Sequence, residues 1–189
     1  MPLIQVVVAS TREGRIGQSV ADWVLEVGRA RGSAEVELVD LKDVALPMFD
    51  EPKHPRLGQY VHEHTKRWSA GVARADGFVF VTPEYNHSFP ASLKNAIDYL
   101  HNEWQYKPVG FVSYGGVAAG TRAVQALKPV LAALQMVPVL EGVNIPFVHA
   151  NLGADGRFNA PDGLADATRL MFERTEFWIG RQSSLYHGR

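Results

Sequence analysis

Short, nearly all-apolar runs recur along this chain, separated by stretches with helical periodicity, and that alternation limits the fold more than any other feature. Leu3–Ala9 (LIQVVVA) and Gly77–Thr82 (GFVFVT) hold almost no polar side chain. Such runs suit strands buried on both faces of a parallel sheet. Glu35–Leu41 (EVELVDL) alternates and reads as a second strand, Pro108–Ser113 as a fourth, and Val137–Ile145 as a fifth, bent near Gly142. Between them, Ile16, Val20, Val24 and Val27 repeat at helical spacing, with Gly28 and Gly32 marking the helix end. Leu57, Val61, His64, Trp68 and Val72 form a second stripe, and Leu93, Ala96, Ile97 and Leu100 a third, opened by Pro90. Thr121–Gln135 reads as a helix kinked or divided at Pro129, and Leu164–Gly180 as a closing helix. Five β-α units in strict alternation predict an α/β fold, a parallel sheet with helices on both faces and right-handed crossovers.

The length of 189 residues fits one domain over 1–189, since domains run to roughly 100–200 residues. Lys and Arg number 19 against 20 Asp and Glu, a net charge of −1, so the chain lacks the clustered positive charge of a nucleic-acid binder. There is no cysteine, which removes disulfides, thiolate metal sites, a Cys nucleophile and a redox thiol. Any redox chemistry therefore needs a bound cofactor. The N-terminus MPLIQVVVAS has no basic segment before its apolar run, and the 12-residue stretch Pro129–Leu140 is too short to span a bilayer. The expectation is a cytoplasmic protein with neither membrane nor nucleic-acid partner.

In an open sheet of this type ligands sit beyond the carboxyl ends of the strands, so the loops there should carry the chemistry. After the first strand, Ser10-Thr11-Arg12-Glu13-Gly14-Arg15-Ile16-Gly17-Gln18-Ser19 brings hydroxyls and guanidinium groups to a helix N-terminus. Unpaired N–H groups there attract a phosphate; a capped helix with two solvated arginines is the alternative. No G-x-G-x-x-G or G-x-x-x-x-G-K-[ST] occurs. Asp40 stands where a ribose-binding acid would, or caps its strand end. After the third strand comes Thr82-Pro83-Glu84-Tyr85-Asn86-His87-Ser88-Phe89-Pro90, stiffened by a proline near each end. After the fourth comes Ser113-Tyr114-Gly115-Gly116-Val117-Ala118-Ala119-Gly120, whose glycines permit close backbone approach to a flat ligand.

Ser10-Thr11-Arg12, the run Pro83-Glu84-Tyr85-Asn86 leading to Leu93-Lys94-Asn95-Ala96-Ile97-Asp98, Ser113-Tyr114-Gly115-Gly116, and Leu46-Pro47-Met48-Phe49-Asp50-Glu51-Pro52 together resemble the NADPH-dependent FMN reductase family, from Leu3 to about Ile145. Ala9 stands where that family usually has glycine. The resemblance implies a flavodoxin-like, doubly wound five-stranded parallel sheet of order 2-1-3-4-5. It implies FMN as cofactor and NADPH or NADH as co-substrate. A hydride would reach the flavin, and electrons would then pass to a small-molecule acceptor such as a quinone, azo compound, metal oxyanion or free flavin. It also implies a homodimer or homotetramer. The phosphate maps to Ser10, Thr11, Arg12 and the helix start Ile16, Gly17, Gln18 and Ser19. The ring system maps to Pro83, Glu84, Tyr85 and Asn86, and its pyrimidine edge to Ser113, Tyr114, Gly115 and Gly116. No side chain is needed as a catalytic acid or base. A flavodoxin-type electron carrier is the alternative, disfavoured by the near-neutral charge.

Seven histidines, at 54, 62, 64, 87, 101, 149 and 187, show no H-x-x-x-H spacing, and helical geometry would put His62 and His64 on different faces, so no metal site is expected. His87 adjoins the third-strand loop. Lys94 and Asp98 form an i, i+4 pair, and with the aromatics Tyr99, Trp104 and Tyr106 they suggest an interface along the Pro90–Leu100 helix.

Overall fold

The computed structural model describes residues 1–186. Strand β1 (Leu3–Val8) leads to helix α1 (Gly17–Ala30), then β2 (Glu35–Asp40) and the single turn α2 (Leu41–Val44). After a 3-10 turn at Pro55–Leu57 come α3 (Glu63–Arg74), β3 (Gly77–Pro83), α4 (Ala91–Asp98), β4 (Pro108–Tyr114) and α5 (Thr121–Ala133). The chain continues through β5 (Val137–Pro138), β6 (Val143–Ile145), a 3-10 turn at Val148–Asn151, and α6 (Leu164–Tyr186).

The sheet is parallel, as the sequence pattern predicts, and ordered β2-β1-β3-β4-β5, as the resemblance implies, with β6 also on β4. Its physical basis is visible in burial. Central β3 and β4 are buried at every position, which is why their sequences do not alternate, whereas edge strand β2 mixes buried and open positions. Alternate strand residues feed two cores. Val7, Phe78, Phe80, Val109 and Phe111 face α3, α4 and α5. Ile4, Val6, Val79, Val81 and Val112 face α1 and α6. Trp104 anchors the first core, edge-on to Trp68, Phe78 and Phe80, its Nε1–H donating to the Ile97 carbonyl.

Several expectations need correction. The fifth strand is two pieces: from Val109 to Val112 β4 advances three residues, while its partner advances five, from Pro138 to Val143, and the surplus bulges outward at exposed Leu140. The bulged segment begins at Pro138, which has no N–H to donate to a ladder. Pro129 does not divide α5, because both Pro129 and Gln125, whose carbonyl loses its bond, lie on the solvent face. Leu57 and Val61 precede α3 and are exposed. Gly28 lies inside α1, where Phe172 would leave a Cβ only 2.7 Å. The closing helix runs past Gly180 to Tyr186.

Candidate functional site

The carboxyl ends of β1, β3 and β4 meet in one crest. Ala9 N–H donates to the Val81 carbonyl at 3.0 Å, so the first loop leaves the sheet beside β3. It turns back at Arg12–Arg15, where Arg15 N–H reaches the Arg12 carbonyl and Gly14 takes φ +67°. That angle favours glycine. Helix α1 then starts at Gly17. Its N-cap is Ile16, which has no polar side chain, so the first N–H groups of α1 lack a side-chain cap. A Cβ at Gly17 would lie 2.5 Å from the Tyr114 hydroxyl, so glycine lets this helix end approach β4.

The third loop makes a tight hairpin turn. Tyr85 and Ser88 exchange backbone hydrogen bonds at 2.8 and 2.9 Å, and Asn86 and His87 between them have φ of +49° and +67°. This is the pattern of a type I′ turn, for which Asn suits the first central position and His is a poor second. The loop is tied to its neighbours by side chains. Ser10 Oγ lies 2.6 Å from the Tyr85 hydroxyl. Arg122, in the first turn of α5, binds the Glu84 carboxylate. The fourth loop is tied down by Gly115 N–H to the Ile145 carbonyl, and receives Phe147 and Val148 N–H on the Gly116 and Gly115 carbonyls.

These loops enclose a cavity of about 450 Å³. Of the residues expected from sequence, Ser10, Arg12, Ile16, Pro83, Glu84, Tyr85, Tyr114, Gly115 and Gly116 line it. The others stand elsewhere. Thr11 faces an adjoining cavity with Met48, Ser92 and Asn95. Gly17 is buried beneath Tyr114. The Gln18 side chain bonds Asp22. Ser19 lines a cavity of about 520 Å³ on the outer side of α1, rimmed by the charged residues Asp22, Glu26, Arg29 and Arg157. Asn86 sits in the exposed turn, and Ser113 is fully buried, its hydroxyl donating to Asn144 Oδ1 at 2.9 Å. Sequence reasoning missed Arg15 as a lining residue, along with Phe147, Val148, His149 and Ala150. The missed segment follows β6, whose carboxyl end borders the same crest; parallel pairing of the last strand with β4 was the signal available.

Two buried side-chain atoms without a hydrogen-bond partner, Arg15 Nη1 and Glu84 Oε2, belong to side chains that line the cavity. One is a donor and the other an acceptor. Hydrogen bonding to Arg122 lowers the Glu84 carboxyl below its ordinary pKa, against the opposing effect of burial. Burial pushes the Tyr114 phenol upward, helped by Tyr85 and opposed by Arg15 and Arg12. Asp40 caps its strand end by accepting Lys42 N–H, and also pairs with Arg15.

Outside the cavity, His62 precedes α3 as its N-cap rather than lying on it, so its ring stacks on His64 at 5.1 Å, contrary to the expectation of separate faces. His64 Nε2 lies 3.0 Å from Asp50 Oδ1. Among the described residues no three His, Asp or Glu side chains gather to hold a metal ion, and His187 lies outside those residues. Tyr99 and Trp104 are core residues and unavailable to an interface.

The sequence profile described as NADPH-dependent FMN reductase matches residues 2–150. A Schizosaccharomyces pombe protein named as an NAD(P)H-dependent FMN reductase is 46% identical over 149 residues, covering 77% of this chain and 74% of that one. A Pseudomonas putida quinone reductase is 33% identical over 186 residues, 93% and 94% of the two chains. Among solved structures, the Paracoccus denitrificans flavoenzyme NAD(P)H:(acceptor) oxidoreductase FerB superposes with a TM-score of 0.76 at 22% identity, covering 96% and 98%, a likeness of fold.

Proposed function

This chain belongs to the NADPH-dependent FMN reductase family, and from that premise we propose that the cavity at the crest of its sheet is the seat of FMN. The protein is an NAD(P)H-dependent oxidoreductase. When bound, FMN supplies the redox chemistry, accepting a hydride from the nicotinamide and returning electrons to a small acceptor. The observation that carries the reading is a pair of unpartnered polar atoms on side chains that line one cavity, a guanidinium nitrogen of Arg15 and a carboxylate oxygen of Glu84. A ligand with a phosphate and a ring bearing an N–H would offer an acceptor to the one and a donor to the other.

The chain's own part is binding and orientation. The N–H groups of Gly17, Gln18 and Ser19 at the uncapped start of α1, with Arg12 and Arg15 beside them, favour a phosphate dianion. With Tyr85 as donor to Ser10, the Ser10 hydroxyl keeps its own proton for that anion. Pro83, Glu84 and Tyr85 form one wall and Gly115 with Gly116 another, the glycines allowing a flat ring close to the backbone. Phe147 and Val148 line the remaining side. None of these groups needs to move a proton for hydride transfer, so no side chain is assigned as catalytic.

In this reading the acceptor is a quinone, an azo compound, a metal oxyanion or free flavin. The protein works in the cytoplasm as one domain over 1–189, without nucleic-acid or membrane partners. Among the described residues no helix is long and apolar enough to cross a membrane. A homodimer or homotetramer through α4 is supported by exposed Met48 and Phe49 beside that helix, Phe49 N–H donating to Asn95 Oδ1. Light scattering tests it against the 20.9 kDa monomer. For the activity, FMN-loaded protein is assayed with NADPH and NADH against these acceptors. Steady-state lines that stay parallel as acceptor varies are expected; protein that stays colourless after incubation with FMN and gel filtration refutes the reading.

A further inference from the structure

We propose that Asp40 is a positioning residue for phosphate recognition, acting through Arg15. This rests on the FMN reading above. Asp40 does not line the cavity; it ends β2, in register with Val8 at the end of β1. Its two carboxylate oxygens have separate partners. Oδ1 accepts Lys42 N–H at 2.9 Å, which starts α2, and Oδ2 holds Arg15 Nη2. Both side chains are largely buried, at 13% exposure for Arg15 and 6% for Asp40.

A guanidinium is planar, with donors in a fixed fork, so pinning one terminal nitrogen to a strand end sets the direction of the other. That other nitrogen, Arg15 Nη1, is buried with no acceptor. A desolvated charged donor without a partner is costly unless a ligand supplies the acceptor. A phosphate monoester offers three oxygens, and Arg15 lines the cavity beside the uncapped start of α1. Arg12 lies on the same loop but is exposed, so Arg15 is the preorganised donor of the two.

Two rival accounts predict different signs. If Asp40 were only a negative charge near the phosphate, its removal would tighten FMN binding. If it were only a brace for the loop, its loss would weaken every flavin alike. Positioning through Arg15 weakens binding of the phosphorylated flavin alone.

Asp40→Asn separates these. The amide oxygen can still accept from Lys42 N–H, while the amide nitrogen cannot accept from Arg15. Wild type and variant are titrated with FMN and with riboflavin, which lacks the phosphate, by flavin fluorescence. Expected are a roughly tenfold loss of FMN affinity, the scale of one charge-assisted hydrogen bond, and a riboflavin change below about twofold. In an Arg15→Gln background, Asp40→Asn should add nothing further. Unchanged or tighter FMN binding, equal losses for both flavins, or additive effects with Arg15→Gln overturn the proposal. Wild type that binds neither flavin removes the FMN reading itself, and this inference with it.

Discussion

The Ser10 hydroxyl and the Tyr85 phenol, 75 positions apart in sequence, lie 2.6 Å from each other and join the first and third crest loops. Ser10 is 1% exposed, so its hydroxyl depends on this partner. Tyr85→Phe should lower the stability of the flavin-free protein by about 1–2 kcal/mol, the cost of an unsatisfied buried hydroxyl. Ser10→Ala with Tyr85→Phe should cost less than the two single changes summed. Urea denaturation measures both, and strict additivity would count against the contact.

The turn at Asn86-His87 holds a histidine at φ +67°. Relief of that backbone strain by His87→Gly should outweigh the added freedom of the unfolded chain, for a gain of about 0.5–1 kcal/mol. Thermal unfolding is the check. A destabilised variant would mean that the imidazole makes an attractive contact, Glu84 being its charged neighbour.

Glu84 should stabilise the protein in a pH-dependent way. Its hydrogen bond with Arg122 depresses the folded carboxyl below the ordinary 4.5. The advantage of wild type over Glu84→Gln is then full above that value and fades as pH falls through the folded pKa. Denaturation midpoints compared from neutral pH downward should converge in acid.

Lys107 gives the same sign of pH dependence in the alkaline range. Burial lowers its ammonium to about 8, although Nζ donates to the Val72 and Ala73 carbonyls. Between about 8 and the ordinary 10.5 the unfolded chain holds the proton more tightly, so this group makes stability rise with pH. Tyrosines 60, 99 and 114, all raised, reverse the trend above 10. Lys107→Met should therefore flatten the stability profile between about 8 and 10, and an unchanged slope would contradict it.

Much of this was legible in the residues because parallel, doubly covered strands leave an unambiguous apolar signature, as β1, β3 and β4 do. Position relative to those strands then located Ser10, Arg12, Pro83–Tyr85 and Tyr114–Gly116 on one cavity. What stayed hidden depends on tertiary contact. In the sequence Arg15 has the look of a solvated loop arginine, because its partner Asp40 is 25 positions away. Ser113 belongs to a site motif by sequence, yet strand alternation turns it from the crest onto Asn144. Phe147–Ala150 follow a strand whose end at Ile145 was legible, but it is the backbone bonding of Phe147 and Val148 to Gly116 and Gly115 that brings them to the cavity, a tertiary contact.

Anaerobic mixing of FMN-loaded protein with NADPH, and separately with NADH, tests the central claim most directly. The visible flavin absorbance should bleach with at least one nicotinamide and return when a quinone is added. A flavin that stays oxidised with both, yet bleaches with dithionite, would contradict the assignment and leave a carrier without its own nicotinamide-dependent turnover.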